Sequence, residues 1–508
     1  RCGTAPGSNR TSWHLRLTAG AYPHYTRPMR GALMVCGTAS DVGKSVLVAG
    51  LCRVLARQGV AVAPYKAQNM SLNAAVTADG AEIGRAQALQ AHAAGIEPEA
   101  VMNPILLKPT GERTSQLVVL GRAVGELDAA AYHDAKASLW DVVLGSLADL
   151  RSRFDVVLLE GAGGAAEINL LDRDLVNLPL ACRAGIPAVV VGDIDRGGVF
   201  AALYGTVALL PDDLRACVGG FVVNKLRGDP ALLGDATADL ERRCGVQTLG
   251  VLPHLPGISI DAEDSLALDR PPPHRPGATV DVAVVRFPRI SNFTDLDPLV
   301  HEPSVQVRFV SSPGDLGAPD LVVLPGSKAT VEDLRWLRAA RLDAAIAASG
   351  ARVLGICGGY QMLGRRIVDD VESGAGTVEG LGWLDVETEF APAKMTVRRH
   401  GVALGVTVHG YEIHHGRVRR GTAAPWLVLD GEAEGATDGN RVHGTSLHGL
   451  FEADAFRGRY LGITPRVSFA AQREAQLDAV ADLLEAHLDL LAVEELLTGA
   501  RPAPVRPR

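Results

Sequence analysis

The stretch "ALMVCGTASDVGKSVLVAGLCRVLARQG", Ala32 to Gly59, reads in three steps. A short apolar run without polar alternation comes first, the pattern of a strand buried on both faces. A glycine-bearing loop follows. Apolar residues at helical spacing then continue to Gly59, a residue suited to ending a helix. Strand, loop and helix in this order, with Gly-Lys-Ser at the helix start, is the setting of a phosphate-binding P-loop. Backbone N–H groups between Thr38 and Ser45, with Asp41 and Gly43 inside the loop, are placed to wrap phosphate oxygens. Lys44 adds a point charge on the β- and γ-phosphates, and Ser45 reaches Mg2+. One detail departs from the pattern: counted back from Gly43, the usual first-glycine slot is Thr38, and Gly37 lies one residue early.

Outward from this unit the alternation continues. "VAVAPYK", "FDVVLLEGAGG", "IPAVVVGDID" and "CVGGFVVNK" are further short, β-branched runs with helix-length segments between them. This predicts a doubly wound α/β domain with a parallel sheet. Glu160 ends one of these runs, where a carboxylate suits Mg2+ and its waters, or else caps a helix or sits in a salt bridge. Asp193 and Asp195 end another, for metal, substrate or a cap. Asn224 ends a third and could meet an adenine edge or close a turn. Lys66, Gln68, Asn69 and Asn73 follow the second strand as a dense polar group. They suit recognition of a polar substrate, or serve as turn residues.

Three prolines stand together in "ALDRPPPHRPGATV", the best linker in the chain. The alternation then restarts with "VDVAVVRF", "PDLVVLPGSKAT" and "ARVLGICGG", which predicts a second α/β domain. In "VLGICGGYQML", Cys357 occupies a strand-to-helix turn between Gly355, Gly358 and Gly359. Those glycines permit a tight turn that exposes a nucleophile, and a helix N-terminus behind it favours a thiolate. Backbone N–H groups near Gly326, Ser327 and Gly358 suit an oxyanion hole. A base is also required. His400, His409, His414, His415, His443 and His448 are candidates that spacing alone does not separate, although His448 sits where a strand ends. Cys36, Cys52, Cys182, Cys217 and Cys244 read as small buried hydrophobes.

The totals bound these readings. A chain of 508 residues holds two to four domains. With 47% apolar and 21% charged residues and a net charge of -8, it reads as a globular protein and not a dedicated nucleic-acid binder. No apolar run reaches the roughly 18–20 residues of a membrane span. Seven scattered cysteines without a C-x-x-C pair point to a reducing, cytoplasmic setting rather than a disulfide framework. The expected boundaries are 1–29, a disordered or over-extended start; 30–265, an ATP-binding domain; 266–280, a linker; 281–490, the cysteine domain; and 491–508, a disordered tail.

Ten ordered segments carry a resemblance: "GTASDVGKS", "YKAQNMSLN", "EGAGGAAEINLLDRDLVN", "GDIDRGGVFA", "NKLRGD", "PRISNFTDLDPL", "LPGSKAT", "GICGGYQMLG", "GYEIHHG" and "SLHGLFE". From Met29 to about residue 490 the chain resembles the cobyric acid synthases, glutamine-dependent amidotransferases of cobalamin biosynthesis. The resemblance implies a dethiobiotin-synthetase-like P-loop domain, whose branch carries the same shifted glycine. It also implies a class I glutamine-amidotransferase-like domain with Cys357 as nucleophile and His448 as base. Glutamine would give ammonia through a Cys357 thioester. MgATP would activate the b, d, e and g carboxylates of a corrinoid, adenosylcobyrinic acid a,c-diamide, as acyl phosphates. Class I glutaminases carry a glutamate two residues after the histidine, but here that position is Leu450. Glu452 or a backbone carbonyl is left to orient His448. The rival readings are cobyrinic acid a,c-diamide synthase, a relative that amidates a cell-wall lipid precursor, and, from other classes, a P-loop nucleotide switch or a non-catalytic glutaminase-like module. The switch commonly carries an early second lysine, which "CGTASD" lacks.

Overall fold

A computed structural model describes residues 29–111, 114–258 and 272–499. The expected leader 1–28, part of the expected linker and the last nine residues lie outside that range.

Five of the apolar runs read above, including the Gly31–Gly37 strand, join a six-stranded sheet with Gln247–Pro253. Its order is Gln247–Pro253, Val218–Leu226, Ala188–Asp193, Gly31–Gly37, Val156–Glu160, Val62–Tyr65, with every pairing parallel. The Gly31–Gly37 strand lies centrally, so its two neighbours end beside the loop that follows it. Val35 is level with Glu160, and Gly37 with Val191. The Lys44–Arg57 helix covers one face through Leu47, Val48, Leu51 and Val54.

The second domain repeats the plan. Its sheet runs Val305–Val310, Val280–Val285, Leu321–Leu324, Arg352–Ile356, Val442–Thr445, Ala436–Thr437, parallel except for the last strand. The expected α/β class with two doubly wound domains therefore holds. A long hairpin, Val386–Ala403 with Val406–Arg420, crosses this domain and turns at Leu404 and Gly405, both at positive φ. In the first domain a smaller sheet is built from Gln68–Met70, Ile105–Pro109, Thr114–Val119 and Arg122–Asp128.

Three expectations need correction. Met29 is buried in the first core and does not belong to a leader. The chain's last helices, Phe469–His487 and Leu490–Thr498, return to the first domain, so neither the boundary at 490 nor a disordered 491–499 holds. Leu477, Leu484, Val493 and Leu496 share the core of the Lys44–Arg57 helix. Close approach explains the fit: a Cβ on Gly50 would meet Leu484 and Val480 at 2.6 Å, and Arg53 Nε donates to Asp478 at 2.8 Å. Finally, Cys182 and Cys217 are half-buried and their sulfurs are bonded, with Cα atoms 5.9 Å apart, and Cys244 is half-exposed. The helix Leu178–Ala184 and the strand starting at Val218 bring together two cysteines 35 residues apart, a proximity that their sequence spacing does not reveal.

Candidate active site

The first centre follows the Gly31–Gly37 strand. Thr38 closes that strand by donating its N–H to Val191 O at 2.9 Å. The loop turns through Asp41 at φ 59° and Gly43 at φ 101°. A Cβ on Gly43 would lie 2.2 Å from Asn224 Nδ2, so this turn needs glycine twice over. Asn224 donates to Val42 O at 2.8 Å and accepts from Lys225 N at 2.8 Å. Its amide nitrogen thus braces the loop, and its oxygen accepts from the next residue of its own strand. Lys44 arches over the loop and donates to Ala39 O at 2.9 Å and Gly163 O at 3.0 Å.

Behind the loop, Ser45 Oγ donates to Glu160 Oε1 at 2.7 Å. Lys66 Nζ pairs with the same oxygen at 3.0 Å, and Gln90 Nε2 donates to Oε2 at 2.5 Å. Burial works against ionisation of Glu160, but Lys66, Ser45 and Gln90 hold its pKa below the usual carboxylate value. The other polar residues of the "YKAQNMSLN" segment diverge. Asn69 is buried and donates to Gln87 at 3.0 Å. Asn73 is buried and accepts from Phe293 N of the second domain at 3.1 Å. Gln68 lies half-buried on the edge of the small sheet. Lys66, Asn69 and Asn73 are thus held by separate partners, Glu160, Gln87 and Phe293 N.

The second centre follows the Arg352–Ile356 strand. Cys357 has φ 50° and ψ −109° at the head of the helix Gly358–Leu363. Its N–H donates to Thr445 O at 2.8 Å, which ties the turn to the neighbouring parallel strand. That strand ends three residues before His448. Equivalent ends of adjacent strands thus bring nucleophile and base together. A Cβ on Gly359 would lie 1.9 Å from Leu324 O, and one on Gly358 would lie 2.9 Å from Ser327 N. The glycines let the helix start approach the Pro325–Ser327 segment, where Gly326 lies against His448.

His448 is fully buried. Its Nδ1 is 2.6 Å from Asp295 Oδ2, and Asp295 Oδ1 accepts from Gly449 N at 2.9 Å. The Tyr411 ring stacks on it with centroids 5.2 Å apart. Burial lowers the basicity of the ring, but the Asp295 charge and the hydrogen-bonded Cys357 sulfur outweigh this and push its pKa up to about 10. That favours an imidazolium beside the Cys357 sulfur. Among the six candidate histidines the structure therefore brings His448 to Cys357. His414 instead faces Glu412 and Gly416 O, and His443 stacks on Trp426. Glu452 does not orient His448, since its oxygens meet Arg85 at 2.7 Å and Arg473 at 3.3 Å. Asp295 does so, from 153 residues upstream. Its only trace in the sequence is its place in "SNFTDL", a polar run after a strand.

Two centres on one chain, one for phosphate and one for a thiolate, set the frame for comparison. Residues 33–267 match a family described as the CobQ/CobB/MinD/ParA nucleotide binding domain. Residues 281–456 match one described as the CobB/CobQ-like glutamine amidotransferase domain. A Nocardia farcinica protein named cobyric acid synthase is 53% identical over 509 residues, covering 93% of this chain and 98% of its own. A Rhodococcus jostii protein of the same name is 54% identical over 495 residues, covering 93% and 96%.

The chain belongs to the cobyric acid synthase family. As a member of that family it is an enzyme, a glutamine-hydrolysing amide ligase that acts in cobalamin synthesis on a corrinoid and uses ATP. No helix among the described residues is long and apolar enough to cross a membrane.

Proposed function

We propose that this chain amidates the b, d, e and g carboxylates of adenosylcobyrinic acid a,c-diamide in the cytoplasm, with nitrogen taken from glutamine. The observation that carries the reading is the pair of complete centres on one chain, Cys357–His448–Asp295 and Lys44–Ser45–Glu160.

In the glutaminase, the Cys357 thiolate attacks the glutamine side-chain amide carbon. The N–H groups of Gly358 and the Gly326 segment face the developing oxyanion. His448 gives its proton to the leaving nitrogen, the C–N bond breaks, and ammonia departs to leave a Cys357 thioester. His448 then takes a proton from water, which clears the thioester as glutamate. Asp295 keeps the imidazole in one orientation through both steps.

In the other domain, Thr38, Asp41, Gly43 and Lys44 form the cradle for the ATP phosphates, and Asn224 keeps that cradle in shape. The oxygens of Ser45 and Glu160 fit Mg2+, a hard cation usually held by one or two protein oxygens plus substrate phosphates. Bound there, the ion would neutralise phosphate charge. Lys66, beside Glu160, is placed for the carboxylate that receives the phosphoryl group. The resulting acyl phosphate is attacked by ammonia at its carbonyl carbon, and inorganic phosphate leaves. A carboxylate is a poor electrophile, and free ammonia is mostly protonated in water. Both facts favour activation and ammonia release on a single chain.

Mass spectrometry of the diamide after incubation with the chain, glutamine and MgATP tests this. Stepwise conversion to the fully amidated product is expected. An unchanged diamide from a chain that hydrolyses glutamine would contradict the reading and direct attention to cobyrinic acid as acceptor.

A further inference from the structure

His448 is supported from several sides, and some of the supports are anchored in the other domain. Asn292, three residues before Asp295, has its side-chain nitrogen 3.3 Å from His448 Nε2. The Asn292 amide oxygen accepts from Ala74 N of the first domain at 2.9 Å, and its own N–H donates to Leu72 O at 3.4 Å. The next residue, Phe293, donates its N–H to Asn73 at 3.1 Å. Tyr411, stacked on His448, packs with Ile413 against Ala74, Val76, Leu106 and Val118 of the first domain. On the far side of the base, Glu452 follows His448 by four residues and accepts from Arg85 of the first domain at 2.7 Å.

Arg85 opens the helix Arg85–Ala93. Five residues along the same helix, Gln90 donates to Glu160 at 2.5 Å and to Ser45 O at 3.4 Å. One short rigid helix therefore touches the glutaminase base loop at one end and the phosphate loop at the other, about 7.5 Å apart along its axis. Both contacts are made by buried or nearly buried side chains with a charge on at least one partner, where a shift of one end is felt at the other.

We propose that Arg85 is a positioning residue of the glutaminase, holding the His448 segment from the nucleotide-binding domain and linking it, through Gln90, to the occupancy of the phosphate loop. The proposal rests on the reading of Cys357 and His448 as a glutaminase. Arg85 touches neither glutamine nor the reacting atoms. It fixes the backbone that carries the base, so its loss acts on turnover and not on glutamine binding.

The test is ammonia release from glutamine by the full chain, with and without MgATP and without corrinoid, across glutamine concentrations. For the wild-type chain, MgATP should raise kcat by roughly fivefold or more while KM for glutamine moves less than about twofold. Arg85→Met should lower kcat by roughly tenfold or more and abolish the response to MgATP. Arg85→Lys, which keeps a charge on Glu452, should recover part of both. Should Arg85→Met melt early, Glu452→Gln weakens the same bond from the other side and is read in the same way. A wild-type kcat indifferent to MgATP, an Arg85→Met chain with unchanged kcat, or a loss confined to KM would overturn the proposal. A wild-type chain that releases no ammonia would overturn the glutaminase reading itself, and this proposal with it.

Discussion

The turn after Gly37 and the turn after Ile356 both end a parallel strand and begin a helix, yet they gather their chemistry differently. The phosphate loop is largely one continuous segment. Asp41 and Gly43 supply its conformation at positive φ, and Glu160 arrives from the adjacent strand. The cysteine turn contributes one reactive atom. Its base lies 91 positions away and the aspartate behind that base lies 62 positions away on the other side in sequence. A site made of backbone is written locally, whereas a site made of side chains is written in the topology.

That contrast can be broken most sharply at Cys357. Cys357→Ala should cut glutamine-dependent amidation by roughly a thousandfold or more, while amidation with high external ammonium persists. Product formation is compared with the two nitrogen sources, and loss of both would contradict the division of labour. Lys44→Ala should lower amidation from either source by roughly a hundredfold to a thousandfold. Product that persists with ammonia would remove Lys44 from the phosphate site.

Asp295→Asn sharpens the comparison by isolating the long-range element. It should lower the glutaminase kcat by roughly a hundredfold and leave KM for glutamine within about threefold. An unchanged kcat would mean that Tyr411 and Asn292 suffice to orient His448.

The smallest effect concerns the seam between the domains. Glu82 of the first domain is buried between Lys108 at 2.5 Å and Lys394 of the long hairpin at 2.6 Å. Burial opposes its ionisation, but the two lysines pull its pKa from 4.5 to about 2. The folded-state pKa is thus depressed. The stabilisation it brings is complete above the ordinary carboxylate pKa and is lost as pH falls from about 4.5 towards about 2. Melting temperatures measured down through this window should fall more steeply for the wild-type chain than for Glu82→Gln. Parallel curves would exclude Glu82 as the group responsible.

The same contrast explains what could be read in advance. The parallel sheets, the phosphate loop and the cysteine elbow were legible because each is a short-range pattern of apolar runs, glycines and one reactive residue. Asp295 was not, because its role depends on a fold that returns the Phe293–Leu296 turn beneath the Val442–Thr445 strand's exit. Asn69 and Asn73 looked like substrate contacts for the reason that they are polar and clustered. Packing uses the same residue types: Asn73 accepts from Phe293 N across the domain seam, and Asn69 donates to Gln87 inside the first domain. The partner of the Leu490–Thr498 helix is not legible, because a terminal helix declares its partner only when the Gly31 strand it covers is known. A Cβ on Gly31 would meet Leu497 O at 1.7 Å. The bonded pair Cys182–Cys217 is likewise a product of topology.

In the proposed reaction, glutamine nitrogen leaves the Cys357 centre and enters the corrinoid at the phosphate-loop centre. The most direct measurement is mass spectrometry of the corrinoid product after reaction with amide-15N glutamine in a large excess of unlabelled ammonium. The account predicts predominantly 15N amides from the wild-type chain and unlabelled amides from Cys357→Ala. Equal labelling patterns from the two chains would contradict it.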